Sequence, residues 1–445
     1  MTRRNPPRIL LGTVEIAGFY GALRDGLREL GVAAALYTVE PHPFGYGEDR
    51  ETERFALVRW TRATRRRANA AALRHPYSRL PWRALELALQ PFLLAWAAFR
   101  FDAFIFGYGT SITAFPAVEL RLLKLLGRRI VCVFHGSDTR PPYMDGSVPA
   151  ADGAEGRACV ALSVRARARA RLADRFADCV VENPSSAHFH ARACAHVLLL
   201  GIPVRRPPRP CEGSRAQGPI RILHSPSNPV VKGTGLVVAA VDRLRARGHD
   251  VELVLVTGKP HAEVLNELAR CDFVVDQLYS DTPMAGFAAE AASFGKPSVV
   301  GGYAEEVFAR WIPPAGRPPT LYVRPEEVEE AIERLVVDVD LRLELGRRAR
   351  AYVEEHCTPR RVAERYLRLI RGAVPPEWLF DPREIGYVHG CGLPEDRARE
   401  RVAAVLAEAG PAGLCVSDKP GLERRLVAFA HGAVADAPAP VAAPG

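Results

Sequence analysis

Arg221-Ile222-Leu223-His224-Ser225-Pro226-Ser227-Asn228 begins a stretch that continues through Lys232-Gly233-Thr234 and closes on Glu290-Ala291-Ala292-Ser293-Phe294-Gly295-Lys296-Pro297-Ser298-Val299-Val300. Its first residues are an apolar run of strand length that stops in a polar loop, and a helical pattern starts just after the lysine. Strand, loop, helix is the opening of a βαβ unit. In an open α/β sheet, ligands sit beyond the carboxyl ends of the strands, so the loop after Leu223 is where one is expected. At the start of the following helix an ammonium and the free backbone N–H groups together hold a diphosphate, and Lys232 stands there.

The same alternation runs outward from this stretch in both directions. Ile9-Leu10-Leu11, Ala34 to Tyr37, Phe104 to Phe106, Ile130 to Phe134 and Cys179 to Val181 precede it. Helix-spaced apolar residues lie between them, such as Leu23, Leu27 and Leu30 before a stop at Gly31. Val251 to Val256, Phe273 to Val275 and Ser298 to Val300 follow, with helices near 236–247 and 286–294. Strands alternating with helices predict parallel sheets covered on both faces. Ile202 to Pro210, with Gly213, Ser214 and Gly218 behind it, cannot hold a regular element, because proline fixes φ and removes donors. The fold class is therefore α/β, with two Rossmann-like domains whose parallel sheets face each other across a cleft. The predicted domains are 1–201, a linker at 202–219, and 220–372, which ends in helices near 326–337, 341–356 and 359–370. Residues 373–431 form a C-terminal extension to which the sequence gives no role. The last residues, 432–445, are nearly all Ala, Pro, Val and Gly and are expected to be disordered.

Composition narrows the class further. With 445 residues and 48% hydrophobic side chains, the chain has material for two cores. The formal net charge is +9, yet only five lysines contribute, and an Arg-, Ala- and Pro-rich composition argues against nucleic acid as a partner. Nine cysteines, an odd number with no paired spacing, point to reduced, packed thiols. The first residues run directly into a strand without a leader-like apolar segment, and the apolar stretch from Ala84 to Phe99 falls short of the roughly 20 residues that cross a bilayer. A cytoplasmic protein is expected.

The pieces quoted above resemble the donor-binding half of the large family of retaining glycosyltransferases with two Rossmann-like domains, the GT-B, family-4-like enzymes (glycosyl transferases group 1). The resemblance covers about residues 8–372 and is most specific in the second half. It implies that Lys232 binds the donor diphosphate and that Glu290, the second member of the family's paired-glutamate motif, accepts the ribose hydroxyls. The position of the first glutamate holds Thr282, with Asp281 beside it. Sugar contact then falls to Asp281, or to the backbone N–H groups of Met284, Ala285 and Gly286. Many members place an arginine five or six residues before the lysine, and here those positions are Ser227 and Pro226. A cell-envelope branch of the family also lacks the first glutamate and carries the run seen here as Val275-Asp276-Gln277-Leu278. These departures therefore resemble a branch trait.

In the first half, Phe134-His135-Gly136-Ser137-Asp138-Thr139-Arg140 ends a strand on the side of the cleft. By resemblance His135 lies beside the anomeric centre of the donor sugar, and Asp138 orients it or takes an acceptor hydroxyl. The loop from Gly12 to Gly21 lacks the dinucleotide spacing. Glu15 and Gly18 in it are candidates for the acceptor side, or for a plain turn. The arginines from Arg62 to Arg83 precede an apolar helix and suit peripheral contact with the inner face of a membrane, or equally a solvated face ahead of a core helix.

The implied activity is a hexosyl or glycosyl transfer from a nucleotide sugar, with retention, to a small-molecule or lipid-linked acceptor, in cell-envelope polysaccharide, glycolipid or natural-product glycosylation. No metal and no cofactor are called for, the nucleotide sugar being a co-substrate. A nucleotide-sugar epimerase on the same scaffold and a non-catalytic nucleotide-sugar-binding subunit are the alternatives.

Overall fold

The computed structural model describes residues 6–40, 52–73, 75–149, 154–207 and 218–432. The middle of the expected linker, 208–217, the tail 433–445 and Arg74 lie outside the described residues. In the first unit the short apolar runs become β1 (Ile9–Thr13), β2 (Ala34–Thr38), β3 (Ala103–Gly107), β4 (Arg129–Val133), β5 (Cys179–Glu182) and β6 (Cys194–His196). In the second they become β7 (Ile220–His224), β8 (Val251–Leu255), β9 (Phe273–Val275), β10 (Ser298–Gly301) and β11 (Leu321–Val323). These strands pair in parallel, in the order β2-β1-β3-β4-β5-β6 and β8-β7-β9-β10-β11. Both orders reverse direction next to their first strand, at β1/β3 and at β7/β9, and such a switch point opens a crevice at the carboxyl edge.

The strands read as continuous apolar runs because both faces are covered. Leu11, Ile105 and Val131 pack on one side with Leu23 and Leu27 of α1 (Phe19–Glu29). Leu10, Phe104 and Cys132 pack on the other with Leu93, Leu94 and Ala97, which belong to the third helix described below. The eight cysteines among the described residues are free thiols, seven of them buried.

Two features of the chain path were not expected from the sequence. Helix Pro359–Arg371, read as the end of the second unit, packs Val362, Tyr366 and Ile370 into the first unit's core against α1. A Cβ on Gly26 would stand 1.9 Å from the carbonyl oxygen of Pro359, so only glycine lets these two helices approach so closely. The chain thus crosses between the units twice. The second feature is the C-terminal extension, which returns to the first unit. Strand β12 (Leu379–Phe380) adds antiparallel to β6, and helix Glu395–Ala409 packs on α5 (Glu155–Phe176), the fifth helix, through Arg401 and Glu155.

The extension is held partly through buried histidines. His188 Nε2 meets the carbonyl of Tyr387 at 2.7 Å, and His196 packs its ring edge-on against Phe380. Burial lowers His188 to about 4 and His196 to about 3, and His188 Nδ1 and His196 Nε2 have no partner among the described residues. Both rings are neutral in the folded chain while an unfolded histidine titrates near 6.5. Below that pH the unfolded state binds more protons, so stability is present above about 6.5 and is lost as pH falls toward 4. A loss of several kcal/mol is expected over that window. Urea unfolding at pH 7 and pH 5 measures it, and equal midpoints would exclude it.

Helices α2 (Ala56–Ala72), α3 (Leu80–Arg100) and α4 (Pro116–Leu125) cover the outer side of the first sheet. The expected arginine surface is smaller than its sequence suggests. Arg62 is buried, with Nε and Nη2 donating to the carbonyl and hydroxyl of Thr38 and Nη1 to Glu53. Arg65 pairs with Glu40 and Glu86, and Arg83 with Glu86. Arg66, Arg67 and Arg79 are exposed and have no ion-pair partner among the described residues.

Candidate functional site

The two switch points meet at one cavity of about 650 Å³. The loop after β1 supplies Ile16 to Phe19, and the loop after β4 supplies His135, Gly136 and Arg140. From the second unit come Lys232, after β7, then Gln277, Asp281, Thr282, Met284 and Ala285, after β9, and Gly286 and Glu290 on the next helix. A second cavity of about 330 Å³ shares Lys232, Gly286 and Glu290 and continues past Ser225 and Ser227 to Gly258 and Val264. Two doubly wound units therefore present the carboxyl edges of their sheets to a shared cleft. The chain has the GT-B fold.

No family model and no curated protein matches the sequence. Among solved structures, the chain is similar to the sucrose-phosphate synthase tll1590 from Thermosynechococcus elongatus, at 15% identity over 82% of this chain and 98% of that one, with a TM-score of 0.46. It is similar to Alr3699/HepE of Anabaena, solved in complex with UDP and glucose, at 12% identity over 82% of this chain and 100% of that one, with a TM-score of 0.43. It is also similar to the glycosyltransferase SnogD from Streptomyces nogalater, at 15% identity over 82% of this chain and 100% of that one, with a TM-score of 0.38.

Lys232 closes a tight turn. Its N–H donates to Asn228, the next N–H to Val230, and Gly233 takes φ 71° to start helix Thr234–Ala246. A Cβ at Gly233 would press on Leu278 at 2.9 Å, so the glycine is needed both for its left-handed backbone and for this contact. The ammonium donates to Gln277 Oε1, and Gln277 in turn donates to Ser280 Oγ at 2.6 Å. Asp276 lies close behind, its carboxyl pushed up by burial and pulled down by Lys232. Below the turn, His224 bridges Val275 O and Thr234 Oγ1 at 2.8 and 2.9 Å, pinning the helix start to the sheet.

Glu290 sits one turn into helix Gly286–Ser293, and its Oε1 meets His261 Nε2 at 2.7 Å. Met284, Ala285 and Gly286 lead into that helix and line the cavity, where the first N–H groups of a helix lack intrahelical acceptors. Asp281 has a different occupation from the one expected. Its Oδ2 accepts from Arg140 Nη2 at 2.5 Å, Arg140 Nε at 3.1 Å and Ser186 Oγ at 2.9 Å, and its carbonyl accepts from Asn183 at 2.9 Å. Because Arg140, Ser186 and Asn183 belong to the first unit, Oδ2 of this carboxylate joins the two units, while the residue also lines the cavity.

On the first unit, the ring of His135 stands edge-on to Phe19 and Tyr20, and Nε2 meets the Tyr20 hydroxyl at 2.7 Å. Burial lowers its pKa to about 4, so the imidazole is neutral at pH 7. Asp138 does not reach the cavity wall. It is buried, its carboxylate accepts from the His135 N–H at 3.1 and 3.2 Å, and burial raises it to about 6. It therefore positions the His135 loop. Glu15 is likewise buried and accepts from the N–H groups of Ile16, Tyr20 and Gly21, fastening the first turn of α1. Gly18, at φ 79°, caps that helix and does line the cavity, whereas Glu15 does not.

Several site residues were not singled out by sequence. His261 opens a helix and carries no local motif. Arg140 ended a quoted run without a role, and its partner is 141 positions away. Cys391 lines the cavity because Cys391 pairs through its backbone with Met144 and Gly146, and Gly392 N–H donates to Tyr279 O at 2.7 Å. The extension thus runs through the junction of both units.

Proposed function

We propose that the chain is a glycosyltransferase that moves a hexosyl or related sugar from a nucleoside diphosphate donor to a small-molecule or lipid-linked acceptor, with retention at the anomeric carbon. The reading is carried by one observation: Lys232 and Glu290, from separate elements of the second unit, line one cavity opposite His135. Lys232 and the N–H groups at 284–286 neutralise the diphosphate as it departs. Glu290 takes the ribose, oriented by His261, and the acceptor occupies the side of Gly18 and Phe19.

The described carboxylates of the cavity support the route of attack. Asp281 and Asp145 are both held by Arg140, and Glu290 is held by His261. Each has a charged or imidazole partner, which supports a route without a carboxylate nucleophile or an epimerase's acid-base pair. The acceptor oxygen therefore attacks from the face the diphosphate leaves. The C1–O bond to phosphate breaks as the new glycosidic bond forms, and the acceptor proton passes to the departing phosphate oxygen.

Calorimetric titration with UDP and with GDP tests the donor side. Lys232→Ala should weaken binding of the preferred nucleotide by about 10- to 100-fold, the worth of a charge-assisted contact. Its unfolding temperature should move less than that of a variant at a buried ion pair, because among the described residues the ammonium's hydrogen bond is to Gln277 at the cavity edge. Unchanged affinity would remove Lys232 from the site. With a panel of nucleotide sugars, a glycosidic product or slow donor hydrolysis supports transfer. A new nucleotide-sugar isomer would replace transfer by epimerisation.

A further inference from the structure

Helix α3 is turned inside out relative to an ordinary surface helix. Its exposed positions from Leu80 to Phe99 are all apolar, while Glu86 and Gln90 are buried. Phe92 is 66% exposed and Phe99 73%, and Leu80, Leu85 and Leu87 are exposed as well. A water-facing helix places its charges outward. Neighbouring elements expose further apolar side chains, with Trp60 on α2, Leu73 and Tyr77 in the connection to α3, Phe115 at the cap of α4, and Val118 and Leu125 on α4. An apolar face of this extent on a monomer marks an interaction surface.

Charge identifies what covers it. Between Phe55 and Arg100 the sequence holds nine arginines and a single acid, Glu86, which is buried and already paired. Arg66, Arg67 and Arg79, without an ion-pair partner among the described residues, flank the apolar face, and Arg67 stacks on Trp82 in the first turn of α3 at 5.0 Å. An apolar face with cations beside it and no exposed acid along its helix fits the headgroups and acyl boundary of an anionic bilayer. No helix among the described residues is long and apolar enough to cross a membrane, and Glu86 and Arg83 interrupt α3. We infer that the outer face of α3, with the α2–α3 connection, docks the protein on an anionic lipid surface.

The chain path places that surface beside the cleft. Helix α3 leads through Phe101 and Asp102 into β3, so it runs antiparallel to β3 and begins toward the carboxyl edge of the sheet. Arg65 and Asn69 of α2 reach Glu40, just past the carboxyl end of β2, at that same edge. At about 1.5 Å per residue, α3 is about 30 Å long and outreaches the five-residue strand beside it. A docked bilayer therefore borders the mouth of the cleft, and a lipid-anchored acceptor can enter it without leaving the membrane.

Flotation of the full chain with vesicles tests this without any nucleotide, so its failure leaves the donor site unaffected and the converse also holds. Vesicles of phosphatidylcholine alone should bind weakly, and vesicles of phosphatidylcholine mixed with phosphatidylglycerol at least about fivefold more. Phe92→Ser with Phe99→Ser, and separately Arg66→Glu with Arg67→Glu and Arg79→Glu, should each cut the bound fraction on the mixed vesicles about tenfold or more. All five positions are exposed, and circular dichroism with thermal unfolding verifies that the variants fold. Absence of binding to the mixed vesicles at low salt, or equal binding by wild type and both variants, would overturn the inference. So would a dimer in sedimentation velocity that Phe92→Ser with Phe99→Ser dissociates while vesicles stay unbound, since the face would then belong to a second copy.

Discussion

Arg140→Ala is expected to destabilise the protein by about 3 to 5 kcal/mol, among the largest single losses the structure predicts. The guanidinium is buried between Asp281 and Asp145, and its removal leaves Asp281 with the Ser186 hydroxyl as its one side-chain partner among the described residues. An uncompensated carboxylate in that place costs far more than the ion pair contributes. The loss should also be anisotropic, because Arg140 and Asp281 stand on opposite units. Urea unfolding followed by tryptophan fluorescence and by far-ultraviolet circular dichroism should give one transition for the wild type and two for the variant. Arg140→Met with Asp281→Leu should be less damaging than Arg140→Ala alone, since removing both charges leaves nothing unpaired. A loss below about 1 kcal/mol would mean that water enters and solvates Asp281, and the latch would not exist.

The parts of this molecule that were legible in sequence are those specified locally. Apolar runs such as Ile9-Leu10-Leu11 and Phe273 to Val275 became strands because both faces of each sheet are covered, and Lys232 and Glu290, singled out by the strand-loop-helix pattern and by the family resemblance, line one cavity. Helix Pro359–Arg371 was legible as a helix but not as a piece of the first unit, because an apolar stripe states that it packs and not on what. Strands β6, β11 and β12 have three, three and two residues, too few to show any period. Arg62 reads as one more solvated arginine and instead fills the edge of β2, since its bonds go to the backbone and hydroxyl of Thr38. The pairing of Asp281 with Arg140 was hidden for the same reason, since the arginine comes from the opposite unit, 141 positions away. The apolar exterior of α3 was hidden because a helical apolar period reads the same whether its stripe faces a core or a lipid.

His135→Ala should lower kcat by about 100-fold or more while leaving nucleotide affinity within a small factor. The split follows from the proposed function, in which His135 lies beside the donor sugar and Lys232 and Glu290, across the same cavity, take the nucleotide. Its chemistry is that of a neutral ring. With the pKa lowered to about 4, the imidazole carries one N–H and one lone pair throughout the neutral range, and the Tyr20 hydroxyl fixes Nε2. Tyr20 is fully buried and its own hydroxyl is pushed well above 10, so it remains a neutral partner. Tyr20→Phe should therefore reduce kcat by less than His135→Ala, without altering KM for the nucleotide sugar, because the ring loses its tether and not its presence. The pH profile of kcat separates this account from a titrating histidine. Since His135 is expected to gain its proton only near pH 4, it should contribute no step between pH 6 and 7. A step there that vanishes in His135→Ala would show the ring charging during turnover, and the neutral-imidazole account would fall.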